Sequence, residues 1–210
     1  MKRLVFLIFI LHASFFTLHA QTISDVFTTM PDSIMPLLTA NNRRDMADFL
    51  RNNMQAKVRN RLNDYVELTM MTKDYLRLEL SAVSTMEMKL LQTKDTVAVV
   101  CLLRTVAAPC KDSQVEFYDT KWQRLQNIRF PRPTVQDFFC EIPDSVARDV
   151  AFAVRVLEDL CMIEIVPNPE DAVFELRLCP DELEQELKDI ARPLLRNLRY
   201  RWNGRDFVAE

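Results

Sequence analysis

The chain is nearly without histidine and glycine. Its two histidines, His12 and His19, both fall in the first 20 residues, and its single glycine is Gly204. Beyond residue 20 there is therefore no Ser-His-Asp or Cys-His arrangement and no imidazole to ligate a metal. With one glycine the chain lacks the loops whose backbone N–H groups cradle a phosphate, which excludes P-loop and dinucleotide-binding folds. No Cys-x-x-Cys pair occurs, so the zinc-ribbon and thioredoxin motifs are missing. Positive charge is not in excess either. The 27 Lys and Arg face 30 Asp and Glu, a net charge of −3, and nucleic-acid binding is not expected. The most basic stretch, RNNMQAKVRNR (51–61), reads as the solvated face of a helix. After residue 20 no apolar run approaches the roughly 20 residues needed to span a bilayer.

The beginning of the chain, MKRLVFLIFILHASFFTLHA, has the build of a secretory signal peptide. Lys2 and Arg3 form the positive end, an apolar stretch follows, and Ala20 is the expected cut. No cysteine stands at the cut to carry a lipid. The expected location is the periplasm or another exported compartment. Loss of Lys2 and Arg3 takes the formal charge from −3 to −5. Residues 21–210 are enough to bury a sizeable core without disulfide staples.

Five cysteines, Cys101, Cys110, Cys140, Cys161 and Cys179, leave at least one thiol without an intramolecular partner. Cys161 and Cys179 flank a turn, but the pleat sets Cys161 with Ile163 and Ile165 and Cys179 with Arg177 and Glu175. A bridge would need a bulge to correct that parity. Buried, inert thiols are the expectation for most of the five.

Periodicity divides the rest. Residues 41–54 place Met46, Phe49, Leu50 and Met54 on one helical face, with Asn41 or Asn42 as cap. Period-two alternation then marks strands at 64–71, 75–81, 85–91 and 114–119, and 96–103 is apolar on both faces, as in a central strand. Residues 107–113 read as a loop, and Pro131 and Pro133 punctuate an irregular run. A second helix covers 142–160, strands follow at 161–166 and 172–178, a third helix at 180–191 and a last strand at 194–202, before the Asn203-Gly204 turn.

FTTMPDSI (27–34) returns as FCEIPDSV (139–146), and in both halves a helix precedes a strand, a turn with Asp and a strand. The reading is a diverged duplication. After the signal peptide (1–20), residues 21–133 form one helix-plus-meander unit. Residues 134–210 form a second, shorter one packed with it as a single body. The expected fold is α+β, two related helix-plus-antiparallel-meander units in a two-layer arrangement, with helices on one face of a long sheet and the other face open. A β-barrel is disfavoured because tight curvature uses glycine.

Four segments, HAQT, PDSIMPLLTANNRRDMADF, DSQVEFYDTKW and YRWNGRDF, together resemble a family of exported Bacteroidales proteins known as a domain of unknown function. The resemblance covers essentially all of 21–210. It implies a Gram-negative gut or oral anaerobe and an envelope location, and it implies no activity and no catalytic residues.

With no catalytic set, cofactor or metal expected, the leading reading is a non-enzymatic protein that binds an envelope protein or peptide. Its candidate contacts are Tyr118, Trp122, Tyr200, Arg201 and Trp202, since aromatics and arginine dominate binding hot spots. For Trp122 and Trp202, at strand ends, the competing reading is a core lid. The alternative function is a carrier of a small apolar ligand or lipid, with Met46, Met54, Met70, Met71, Met86 and Met88 as pocket lining. A two-carboxylate hydrolase finds no spacing that singles out a pair.

Overall fold

The computed structural model describes residues 21–95, 98–107, 109–160 and 162–210. The signal segment and Cys161 lie outside the described residues.

Two helices open the fold, α1 (Ile23–Thr28) and α2 (Ala40–Arg51). Each begins with a capping box. Thr39 Oγ1 accepts the Asn42 N–H at 3.1 Å, and Asn42 Oδ1 accepts the Thr39 N–H at 3.1 Å. Thr39, not Asn41 or Asn42, is thus the cap, because the reciprocal pair needs a hydroxyl three residues ahead of a side-chain carbonyl. The PDS turn between the helices is held by Arg43, which is buried and donates to the carbonyls of Met30 and Leu38 and pairs with Asp32.

Six strands follow: β1 (Ala56–Arg59), β2 (Tyr65–Met71), β3 (Tyr75–Ser81), β4 (Ser84–Gln92), β5 (Ala98–Ala107) and β6 (Lys111–Asp119). They form one antiparallel meander in sequence order. Two expectations are corrected here. Residues 56–59 are an edge strand paired with β2 rather than a helix face. The loop expected at 107–113 is mostly ladder, since Ala107 pairs with Lys111 and Val106 with Asp112.

A turn of 3-10 helix at Asp144–Val146 leads into α3 (Ala147–Leu160). Then come β7 (Ile163–Pro167), β8 (Val173–Leu178), α4 (Gln185–Ala191), β9 (Leu198–Trp202) and β10 (Phe207–Ala209). These strands form a second antiparallel sheet, ordered β10-β9-β8-β7. The Asn203-Gly204 turn joins β9 to β10, with Gly204 at φ 94° and the Asn203 N–H donating to the Asp206 carbonyl at 3.0 Å. The two PDS segments make the same turn. Ile34 N–H donates to the Pro31 carbonyl at 3.0 Å, and Val146 N–H to that of Pro143 at 3.1 Å.

The α+β class with antiparallel meanders holds. The arrangement differs from one long sheet with an open face. Leu76, Leu78, Met86, Met88, Val100 and Leu102 pack beneath α1 and α2. On the opposite face Leu91, Val99, Cys101, Leu103 and Phe117 pack against α3 and the second sheet. The large sheet is therefore covered on both sides, and helices lie in both cores. The reason is energetic. Each fully buried large apolar side chain contributes about 1.5–3 kcal/mol. Leaving that second face wet would forfeit on the order of 10 kcal/mol, comparable to the whole stability of a domain.

The two sheets are fastened covalently. Cys110, in the β5–β6 turn, is bonded to Cys179 at the end of β8, with Cα atoms 6.0 Å apart. Two of the five cysteines are therefore bonded to each other, and Cys179 has no free thiol for the hairpin bridge. Packing of β6 beside β7 brings the two together, which parity within one hairpin does not reveal. Among the described residues Cys101 is free and buried, and Cys140 is free and exposed.

Candidate functional site

β6 ends the large sheet and β7 ends the small one. The two edges run beside each other. At one end, side chains of β6 satisfy the outer edge of β7: Asp112 Oδ1 accepts the Ile163 N–H at 3.3 Å and Ser113 Oγ accepts the Ile165 N–H at 2.9 Å. Lys111 Nζ pairs with Glu164 Oε1 at 2.8 Å. At the other end the chain leaving β6 folds back along it. Leu125 N–H donates to the Phe117 carbonyl at 2.8 Å, and Asp119 N–H to that of Gln123 at 2.9 Å.

This returning segment runs on through Pro131 and Pro133, which cannot donate to a ladder and disfavour the helical region for the residues before them. It is pinned by Phe130, whose ring lies 4.8 Å from Phe207 and 5.6 Å from Phe174. Between β6, this strap (124–133) and β7 lies a groove of about 1120 Å³. Its floor includes Val115, Phe117, Ile128, Phe130, Ile163 and Ile165, all members of the inter-sheet core or packed against it. The groove is the mouth of that core, open to solvent.

Backbone groups face it as well. Phe117 and Asp119 turn their outward groups to residues 123–125, and by the alternation of an antiparallel ladder Val115 turns its own the same way. Val115 is paired with Leu103 of β5 on its inner side, and among the described residues no strand pairs with it on the outer side. Arg124, Arg129 and Arg132 are exposed along the strap side. Arg124 pairs with Glu116 at 3.0 Å. Arg129 and Arg132 have no ion-pair partner among the described residues.

Glu116 pairs with two arginines, Arg104 and Arg124. Partial burial pushes its carboxyl up, but Arg104 at 2.6 Å, Tyr118 and Arg124 together outweigh that and hold it below the usual carboxylate range. Burial, then the Glu116 charge, pushes the Tyr118 hydroxyl up. Glu116 thus stays ionised at neutral pH and is unsuited to act as a general acid. Among the described residues no group of His, Cys, Asp and Glu is placed to hold a metal. What the groove offers is shape, an apolar floor, the open sheet edge at Val115 and cationic side chains.

The contacts expected from sequence lie elsewhere. Tyr118 and Trp122 are buried in the helix-side core, their rings 5.5 Å apart. Trp122 donates its indole N–H to the Val26 carbonyl at 3.2 Å. Trp202 is buried in the inter-sheet core and donates to the Gln92 carbonyl at 2.7 Å. As surface contacts these three are corrected. A large ring whose one polar group finds a backbone acceptor is stabilised by burial, so the core-lid reading describes both tryptophans. Tyr200 packs on the rim of the inter-sheet core. Arg201 is tied to Glu210 at 2.6 Å and Asp171 at 3.4 Å. The five do not converge on one surface. Of the methionines, Met46, Met86 and Met88 fill the helix-side core, while Met54 and Met70 are exposed. Sequence reasoning missed Val115, Arg129 and Arg132. The signal was the segment NIRFPRP, which interleaves apolar Ile128 and Phe130 with Arg129 and adds Arg132 between two prolines.

These features define an α+β protein of two antiparallel sheets with an open groove between their edges. Residues 15–207 match the family described as protein of unknown function (DUF3256), and the chain belongs to that family. It is similar to the solved structure of a domain of an uncharacterized protein from Porphyromonas gingivalis W83. The TM-score is 0.73 at 24% identity, over 90% of this chain and 97% of that one. At that identity the likeness shows the fold. Together these findings meet the resemblance to a Bacteroidales family of unknown function. No curated protein matches the chain. Among the described residues no helix is long and apolar enough to cross a membrane.

Proposed function

We propose that this is a non-enzymatic, exported envelope protein that binds an extended segment of a partner protein in the groove between β6 and β7. One observation carries the reading: the outward backbone groups of Val115, on the edge strand β6, open onto an apolar floor. That is the combination by which an added strand is held, with backbone groups for affinity and side-chain positions for specificity. The alternative, a carrier of a small apolar ligand, loses its main support because Met46, Met86 and Met88 are packed in the core. Export rests on the signal-peptide reading of residues 1–20. The repeat reading is supported by the matched PDS turns, and a duplication would account for two sheets meeting edge to edge.

The test places a photo-crosslinking amino acid at Gln114, which is exposed and lines the groove, and a control at Phe152, exposed on α3. In cells of the native host, adducts mapping to one contiguous stretch of a partner from position 114 and not from 152 are expected. Equal adducts at both positions, or none at 114, would overturn the reading.

A further inference from the structure

The groove's walls specify the chemistry of its occupant. Its floor is apolar, and one strap supplies three exposed arginines, Arg124, Arg129 and Arg132. Of the groove's two acidic residues, Asp112 is engaged by the Ile163 N–H and Glu116 by Arg104 and Arg124. Arg129 and Arg132 are engaged by no carboxylate among the described residues. With three arginines against the two carboxylates of Asp112 and Glu116, the lining of the groove carries a net positive charge, in a chain whose net charge is negative.

The placement of those charges is fixed by packing. Phe130 between Arg129 and Pro131 is clamped by Phe174 and Phe207, and Leu125 is bonded to the β6 backbone. The strap therefore presents its guanidinium groups from a braced backbone, which lowers the entropic cost of recognition. Guanidinium groups suit carboxylates because their N–H donors match the two oxygens in a bidentate fork.

Resting on the reading above, we infer that the segment bound in this groove is acidic. It is an extended peptide whose apolar side chains rest on Val115, Phe117, Ile128 and Ile163 and whose carboxylates meet Arg129 and Arg132. In an extended chain successive side chains alternate between faces, so the matching pattern is apolar and acidic residues in alternation.

A random twelve-residue peptide library displayed on phage tests this, selected on residues 21–210 and in parallel on the double variant Arg129→Glu/Arg132→Glu. Both arginines are exposed, so the variant should keep its fold, checked by circular dichroism and melting temperature. The expected result is enrichment of acidic-apolar alternating peptides on the wild type. A synthetic peptide of that sequence should bind at least tenfold more weakly to the double variant and more weakly as salt rises. Enriched peptides that are neutral or basic, or that bind both proteins equally with a Gln114 crosslink, would overturn the acidic specificity and leave groove binding standing. Peptides that bind without crosslinking at Gln114, or no enrichment at all, would overturn both readings.

Discussion

The ammonium of Lys89, on β4 of the large sheet, lies 2.9 Å from the carbonyl oxygen of Pro169, in the β7–β8 turn of the small one. Asp74 Oδ2 stands 3.1 Å from the same nitrogen. Lys89 is 1% exposed, so one cation, buried to its tip, ties the two sheets together. Lys89→Met keeps the stem and removes the donor. It should cost about 1–3 kcal/mol, the range for leaving a buried acceptor unmet. Lys89→Ala should cost more, because the packing of the stem goes too. Urea unfolding of both variants checks the order, and equal losses would mean that the donor is the whole effect and the packing of the stem adds nothing.

The Cys110–Cys179 bond closes a separation of 69 residues. A cross-link of that span restricts the unfolded chain enough to stabilise the fold by roughly 2–4 kcal/mol. Adding reductant to the wild-type protein should lower its melting temperature by several degrees, and reductant should leave the melting temperature of Cys110→Ser/Cys179→Ser unchanged. A wild-type melting temperature indifferent to reductant would count against a stabilising bridge.

Gly204 holds φ at 94°, and a Cβ built there meets the Lys94 Cγ at 3.2 Å. Its carbonyl accepts the Lys94 N–H at 3.3 Å, another tie between the sheets. Gly204→Ala should lose about 1–2 kcal/mol, chiefly through backbone strain. Because Arg205 is exposed in the same turn, Arg205→Ala serves as the neutral control in the same denaturation series.

Two carboxyls predict opposite pH signs. Glu116 is held below its ordinary 4.5 by its arginine partners, against partial burial. It therefore contributes stability above its unfolded pKa, and that contribution is lost as pH falls through the folded value. Glu116→Gln should be less stable than wild type at pH 7, with the gap closing in acid. Glu87 is raised above 4.5, first by burial, despite the Tyr75 hydroxyl that donates to it and Arg77 nearby. Its ionisation opposes folding as pH rises through the window above 4.5. Glu87→Gln should gain on wild type from pH 4 upward. Parallel pH series of unfolding free energy that move the same way for both variants would refute the assignment.

Export predicts a further observable. Protein recovered from the native host should begin at Gln21, read by N-terminal sequencing. A chain that retains Met1 or the apolar stretch would remove the signal-peptide reading.

Much of this molecule was legible in its residues. The alternation of Leu76, Leu78 and Leu80 dictates a strand with one apolar face. The two-sided run at 96–103 announces a strand covered above and below, and Asn203-Gly204 marks a hairpin. Absence was informative too, since a chain with one glycine and no histidine past residue 19 lacks the residues for His-based triads and glycine-rich phosphate loops beyond that point. These are local properties, set by periodicity and by what each side chain can do alone.

Tertiary structure decided what covers what. Whether the second face of β4 and β5 meets water or another sheet depends on residues about 70 positions away, and no period encodes that pairing. The same holds for Cys110 finding Cys179, for Trp122 and Trp202 being drawn into two different cores, and for the groove itself. It exists because two sheet edges and a proline-held strap happen to meet. Sequence alone specifies which surfaces are apolar. Only the folded chain determines which of them remain uncovered, because burial is a property of the whole packing and not of any one segment.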